Sequence, residues 1–370
     1  MNAPGLYVHV PFCRSKCPYC DFASECAPAR VPDYLAALAQ EAALQRERNP
    51  ETFDSLYLGG GTPSCLRPDE LASLFASLRA AFRFTPDAEL CVEVNPGDVD
   101  RTLLDCLRSL GATRLSVGVQ SFDDRELRFL RRRHTSAEAR AALRLIRRTG
   151  FFGLGVDLIH GLPLQDWPQW RQSLEAALDF EPEHLSCYGL TLTDSTPLGQ
   201  AEQRGDFELP DEVVQVELFT RTSDLLSARE YEHYEVSNFA LGPAHRSRHN
   251  QKYWQGVPYL GLGPAAHSFD GRGRSWNHRE LDAYLHALSQ GRLPIEGFEA
   301  LDAEQRRLEA LALGLRTVEG VPLAIAARNP DAPALLTRLE AEGRVRLTQE
   351  RVFATTRGFL VADAMARMLA

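Results

Sequence analysis

Lysine is nearly absent. The 370-residue chain has two, Lys16 and Lys252, so arginine carries almost all of its positive charge, and no function follows from that. No segment approaches the run of about 18 apolar residues that a membrane-spanning helix needs. The N-terminal stretch Met1-Asn2-Ala3-Pro4-Gly5 has neither the basic nor the apolar region of an export signal. There is no internal repeat and no low-complexity tract. Positive charge is in deficit, with 41 Lys and Arg against 50 Asp and Glu and a net charge of −9. That balance argues against bulk electrostatic binding to nucleic acid or to an anionic membrane surface, and leaves only a local basic patch open. The chain is therefore expected in the cytoplasm, where its eight cysteines serve metal binding or redox work more often than disulfides. A content of 44% apolar and 25% charged residues is an ordinary globular mix. The length predicts two or three domains, or one barrel with an appendage.

Short apolar runs at 6–10, 56–58, 90–94, 114–119, 155–159 and 184–190 alternate with helical patterns such as 32–48, 68–82, 136–149 and 166–179. Strands alternating with helices imply βα units on a parallel sheet. Nearly every run is followed at once by Gly, Cys, Asn, Gln or Asp, and barrel enzymes place their chemistry at such C-terminal strand ends. The expected fold is α/β: a partial (β/α)6, TIM-like barrel with a C-terminal, mostly helical, winged-helix-like domain. An open doubly wound sheet would give the same string. Domains are expected at 1–230 (barrel), 231–300 (a less regular extension dense in Tyr, His, Trp and Gly) and 301–370 (helical domain). A long helix is predicted over 211–229.

The segment Pro11-Phe12-Cys13-Arg14-Ser15-Lys16-Cys17-Pro18-Tyr19-Cys20-Asp21-Phe22 carries three cysteines at C-x3-C-x2-C spacing directly after the first strand. Three thiolates from one tight loop can hold three corners of a [4Fe–4S] cluster and leave the fourth iron open. A structural zinc would want a fourth ligand and paired C-x2-C knuckles. Cys26 remains available as a fourth ligand or as a bystander.

These residues resemble the radical S-adenosylmethionine (SAM) superfamily, and the resemblance runs through residues 5 to 270. Tyr7-Val8-His9-Val10, Gly59-Gly60-Gly61-Thr62-Pro63-Ser64, Glu93-Val94-Asn95-Pro96, Ser116-Val117-Gly118-Val119-Gln120-Ser121-Phe122 and Asp157-Leu158-Ile159-His160-Gly161-Leu162-Pro163 are similar to the branch containing oxygen-independent coproporphyrinogen III dehydrogenase. Within it, His249-Asn250-Gln251-Lys252-Tyr253-Trp254 matches the HNxxYW motif of the HemW-type heme chaperones. The resemblance implies a cluster on Cys13, Cys17 and Cys20. It implies SAM held by Gly60, Gly61, Thr62, Glu93, Gln120, Arg132 and Asp157, with Tyr7 and Tyr19 packed nearby. It also implies heme at His249, Asn250, Tyr253 and Trp254, with His249 as axial ligand and the two aromatics as wall. The residue chemistry agrees: a carboxylate such as Glu93 accepts from both hydroxyls of a ribose, and Arg132 suits a carboxylate.

Two activities belong to this resemblance. One is binding heme and passing it to acceptor hemoproteins, including membrane respiratory proteins, with a homodimer among the expected forms. The other is oxidative decarboxylation of coproporphyrinogen III by a 5′-deoxyadenosyl radical. The enzyme's cluster motif continues with a further Cys where this chain has Phe22, and the enzyme carries an N-terminal arm before the first strand. Both departures favour heme delivery. A nucleic-acid-modifying radical enzyme is disfavoured by the acidic charge. Gly261-Leu262-Gly263-Pro264-Ala265-Ala266 fits a dinucleotide fingerprint but lacks a clear βαβ unit. His245 and His249 are four apart without the Glu of a zinc-protease motif. Cys65, Cys91, Cys106 and Cys187 are expected in the core.

Overall fold

The computed structural model describes residues 3–49, 51–150 and 153–370, so the first two residues of the N-terminal stretch lie outside it. Six units build its centre. They are β1 (Gly5–Val10) with α1 (Val31–Arg46), β2 (Thr52–Gly60) with α2 (Pro68–Ala81), and β3 (Arg83–Val94) with α3 (Arg101–Ser109). Then come β4 (Arg114–Gln120) with α4 (Asp124–Phe129) and α5 (Ser136–Thr149), β5 (Gly153–His160) with α6 (Trp167–Leu178), and β6 (His184–Gly189) with α7 (Pro197–Gln203) and α8 (Glu212–Ser227). All six strands are parallel and neighbour one another in chain order. A doubly wound sheet reverses its order at a switch point; this one does not, which identifies it as a partial barrel.

Alternation along the strands separates two environments. Leu6, Val8, Leu56, Leu58, Val92, Val94, Leu115, Val117, Leu154, Val156, Leu158 and Leu185 face the helices and form the main core. The alternate positions, Tyr57, Cys91, Glu93, Arg114, Ser116, Gly118, Asp157, Ser186 and Tyr188, face inward and line a cavity. The barrel interior is thus polar, while the apolar layer lies between strands and helices.

The segment expected to be irregular adds strands to both edges. β7 (Glu232–Glu235) and β8 (Asn238–Ala240) extend the sheet antiparallel to β6, and α9 (Arg248–Gln255) then crosses to the other side. There β9 (Tyr259–Leu262) pairs parallel with β1, followed by β10 (His267–Phe269), β11 (Gly273–Asn277), α10 (Leu281–Ser289) and β12 (Ile295–Ala300). These strands are three to six residues long, too short to show a period, and their pairing on an existing sheet makes them strands. The tail has its own core around Leu311, Leu336, Val352 and Met365. It comprises α11 (Ala303–Gly314), β13 (Val321–Pro322), α12 (Leu323–Ala326), α13 (Ala332–Ala341), β14 (Val345–Leu347), β15 (Arg351–Ala354), α14 (Thr356–Phe359) and α15 (Ala362–Leu369). Its three-stranded sheet, ordered β13-β15-β14, among helices gives the winged-helix-like arrangement. Among the described residues no helix is long and apolar enough to cross a membrane.

Candidate functional site

The loop leaving the C-terminal end of β1 folds back on itself. Cys13 N donates to Glu25 O at 3.0 Å, Glu25 N to Pro11 O at 2.9 Å and Cys20 N to Cys17 O at 3.1 Å. Lys16 Nζ ties it further by donating to Phe22 O at 3.0 Å. Two distant segments clamp it: Leu198 N donates to Pro18 O at 2.9 Å, and Arg279 meets Asp21. Cys13, Cys17 and Cys20 line a cavity of about 390 Å³ that runs from this loop into the barrel as far as Asn250. Cys26 is exposed, outside that lining.

Donors approach the sulfurs. Thr62 Oγ1 lies 3.4 Å from Cys13 Sγ, and Arg132 Nη1 lies 3.4 Å from both Cys17 Sγ and the Tyr19 hydroxyl. Arg132 Nη2 donates to Gly118 O at 2.7 Å, which fixes the guanidinium and leaves its buried Nε without a partner. Among the described residues no three His, Cys, Asp or Glu side chains converge tightly enough for a single metal ion. Three thiols spread around one cavity mouth, with donors aimed at two of them, fit a polynuclear cluster better than a lone zinc.

Next to the thiols the backbone itself is the wall. Gly60 has φ +104, and a Cβ there would stand 2.7 Å from the His9 ring; a Cβ on Gly61 would stand 2.6 Å from Phe12 O. The glycine run lets β2 pass directly behind the thiol loop. Deeper, Glu93 accepts from the Tyr57 hydroxyl at 2.8 Å, and burial pushes its carboxyl up to about 7. Asp157 accepts from Ser116 Oγ at 2.9 Å, and its carboxyl is also raised, chiefly by burial. Gln120, at the end of β4, holds φ +69 and lines the cavity beside Gly118. Glycine cradle, two buried carboxyls and Arg132 thus face one space, able to take an amino group, a diol and a carboxylate.

The other end of the cavity is closed by α9, which starts with Ser247 as N-cap: its Oγ accepts from Asn250 N at 3.2 Å. Glu89 Oε1 accepts from the first-turn amides of Arg248 and His249 at 3.0 and 3.2 Å. His249 is 1% exposed. Its Nδ1 meets Ser55 Oγ at 3.2 Å and its Nε2 the Tyr253 hydroxyl at 2.8 Å. Its ring stacks on Tyr57 and Tyr7, and burial holds its pKa at about 3. As folded, neither ring nitrogen faces an open space. Tyr7 stands behind the cavity wall rather than in it, its hydroxyl 3.1 Å from His9 Nδ1. Of the HNxxYW residues, Asn250 lines the cavity; Tyr253 turns to His249, and Trp254 is half-buried. Lys252 is buried against Asp54 at 2.5 Å.

The remaining motifs resolve structurally. His245 lies in a short 3-10 turn before α9, so it shares no helix face with His249. Gly263, with φ +93, passes so close to His9 O that no side chain fits, which explains the glycine pattern without a nucleotide. Cys187 is in the main core as expected. Cys65 and Cys106 are only half-buried, packed against the rim of the main core, and Cys91, though buried, faces the barrel interior. Sequence reasoning passed over the inward residues Tyr57, Arg114, Ser116, His184, Ser186 and Tyr188. A period-two count back from Gly118 along β4 would have reached Ser116 and Arg114; the other four lie on β2 and β6, where no site residue but Gly60 was named.

Comparison with known proteins follows the same lines. Residues 7–177 match the Radical SAM superfamily model and residues 301–361 the HemN C-terminal domain model. The chain is 36% identical to the heme chaperone HemW of Mycobacterium tuberculosis, over 99% of this chain and 94% of that protein. It is 30% identical to the heme chaperone HemW of Bacillus subtilis, over 97% of each. Among solved structures it resembles coproporphyrinogen III oxidase (HemN) of Escherichia coli, described as a radical SAM enzyme, with TM-score 0.85 and 26% identity over 99% of this chain and 90% of that one.

Proposed function

The chain belongs to the HemW family within the radical SAM superfamily, and from that premise we propose that it is a heme chaperone that binds heme and hands it to acceptor hemoproteins. The observation that carries this reading is identity of 36% over nearly the whole chain to a protein of that name. Within the reading, Cys13, Cys17 and Cys20 hold a [4Fe–4S] cluster. When bound, such a cluster supplies an open iron for the amino and carboxylate groups of SAM and an electron source. Thr62 and Arg132 donate toward the thiolates, and the Arg132 guanidinium, part of the cavity wall, offers its charge to the SAM carboxylate. Gly60 and Gly61 give the methionine end room, Glu93 accepts from the ribose hydroxyls, and Gln120 and Asp157 line the rest. α9 shuts the barrel, keeping water from entering at the strand N-termini.

A second reading, radical oxidation of coproporphyrinogen, is favoured by the fold match to the Escherichia coli oxidase. A paired assay separates them. Anaerobically reconstituted protein is expected to bind heme one to one, with a Soret band, and to release no carbon dioxide from coproporphyrinogen III. The opposite pair of results reverses the ranking. Cys13→Ser, Cys17→Ser and Cys20→Ser are each expected to abolish the iron–sulfur chromophore. Loss in Cys26→Ser as well would remove the open iron.

A further inference from the structure

Large apolar side chains are exposed at few places on the described surface, and three of them stand at the C-terminal end of the barrel. Phe22, in the thiol loop, is 60% exposed and borders the cavity mouth. Tyr188, at the end of β6, is surrounded by protein yet 41% accessible, because its open face is cavity wall. Leu164, in the loop after β5, is 93% exposed and holds φ +61, rare for a branched side chain. Leu190 continues the apolar lining beyond Tyr188, and Leu164 lies outside that lining, in the loop after the neighbouring strand β5. Lys16 sits at the same rim, exposed, its ammonium meeting the carbonyls of Phe22 and Ser24 and, among the described residues, no carboxylate. An apolar rim with one unneutralised cation matches a flat hydrophobic ring bearing carboxylates.

The lining decides where such a ring can lie. On the proposed reading the thiols, the glycine cradle, Glu93, Asp157 and Arg132 are committed to the cluster and SAM. A cavity already holding both leaves the ring its mouth. The barrel floor offers no alternative, since His249 is sealed between Ser55, Tyr57 and Tyr253. Resting on the heme-chaperone reading, we propose that heme docks across the mouth of the barrel. Its face lies against Phe22, Tyr188, Leu190 and Leu164, its propionates reach Lys16, and it roofs the cavity that holds SAM. A shallow site open to solvent on one face suits a carrier that must release its cargo.

The test uses the full-length, anaerobically reconstituted protein, with hemin as probe followed at the Soret band and radiolabelled SAM for exchange. Phe22→Ser and Leu164→Ser are expected to weaken hemin binding about tenfold or more at unchanged iron content. Phe298→Ser, at an equally exposed phenylalanine on β12 (64%), is expected to change nothing. Lys16→Gln is expected to weaken hemin severalfold but not its dimethyl ester, which lacks the carboxylates. Bound hemin is expected to slow SAM exchange severalfold. The proposal falls if Phe22→Ser and Leu164→Ser bind hemin like the wild type. It also falls if SAM exchange ignores hemin, or if His249→Ala alone removes the Soret band. Failure of the wild type to bind hemin would instead overturn the chaperone reading itself.

Discussion

Gly61 shows how much can depend on one missing methyl group. Its amide donates to Val10 O at 2.8 Å, and a Cβ would press on Val10 O at 2.8 Å and Phe12 O at 2.6 Å, directly before Cys13. Neither contact is with a flexible side-chain end, so the thiol loop itself must move. Gly61→Ala is therefore expected to fold, since the strain falls only on the last residue of β1 and the loop that follows it, but to take up less than half the wild-type iron on reconstitution. Iron analysis and the visible spectrum check this, and wild-type loading would show that the loop yields. The same loop carries Phe22, whose identity separates this chain's motif from the enzyme's and whose exposure makes it available to a ligand.

At the level of elements, α9 illustrates a helix that its own residues cannot account for. It spans eight residues, too few for independent stability in water. Its start is held from outside, by Ser247 as cap and by Glu89 on β3, which bridges two orphan amides and lies 3.6 Å from Arg114. Glu89→Ala removes an anionic acceptor from a helix N-terminus and is expected to cost about 1–2 kcal/mol. Protease cleavage within 248–255 should rise in parallel. An unchanged urea midpoint and unchanged cleavage would mean that Ser247 suffices. The HNxxYW pattern therefore has a structural role that stands whether or not its histidine ever meets iron: it builds the barrel floor.

For the whole molecule, buried titratable groups set an expected pH profile. Burial holds His249 at about 3 and His134, His160 and His233 at about 4, and lowers His184 as well. In the unfolded chain these rings titrate near about 6.5. Their contribution is thus present above that value and lost as the pH falls through the window down to about 4. Glu41, Glu93 and Glu235 run the other way. Burial raises each to about 7, so the native chain keeps protons that the unfolded chain releases near about 4.5. Their contribution is present below that point and lost as the pH rises toward 7. Histidines prevail below about 6.5 and carboxyls alone act just above it, so the ligand-free chain is expected to be most stable near pH 6.5. Urea midpoints across pH 4 to 8 test this. Glu41→Gln should flatten the decline above the maximum, because Glu41 is fully enclosed by Tyr284, Asn277 and Gly263 N. A profile that climbs steadily to pH 8 would contradict the assignment.

The order of the six units, the thiol loop and the glycine turn were legible in the sequence because each depends on neighbours in the chain: spacing, strand alternation and backbone freedom. The strands β7 to β12 were not, since runs of three to six residues become strands only by pairing on an edge that other segments supply. Nor could sequence tell that Cys91 faces inward while Cys187 faces the helices, or that Cys65 and Cys106 stay half-buried, since which side of a strand is inside depends on how the sheet curls. Tertiary structure alone placed His249 behind Ser55 and Tyr253, and left Phe22 and Tyr188 open at the mouth. The motif residues were named by their pattern; which of them can touch a ligand was decided by packing, where a buried polar group finds its partners across distant segments of the chain.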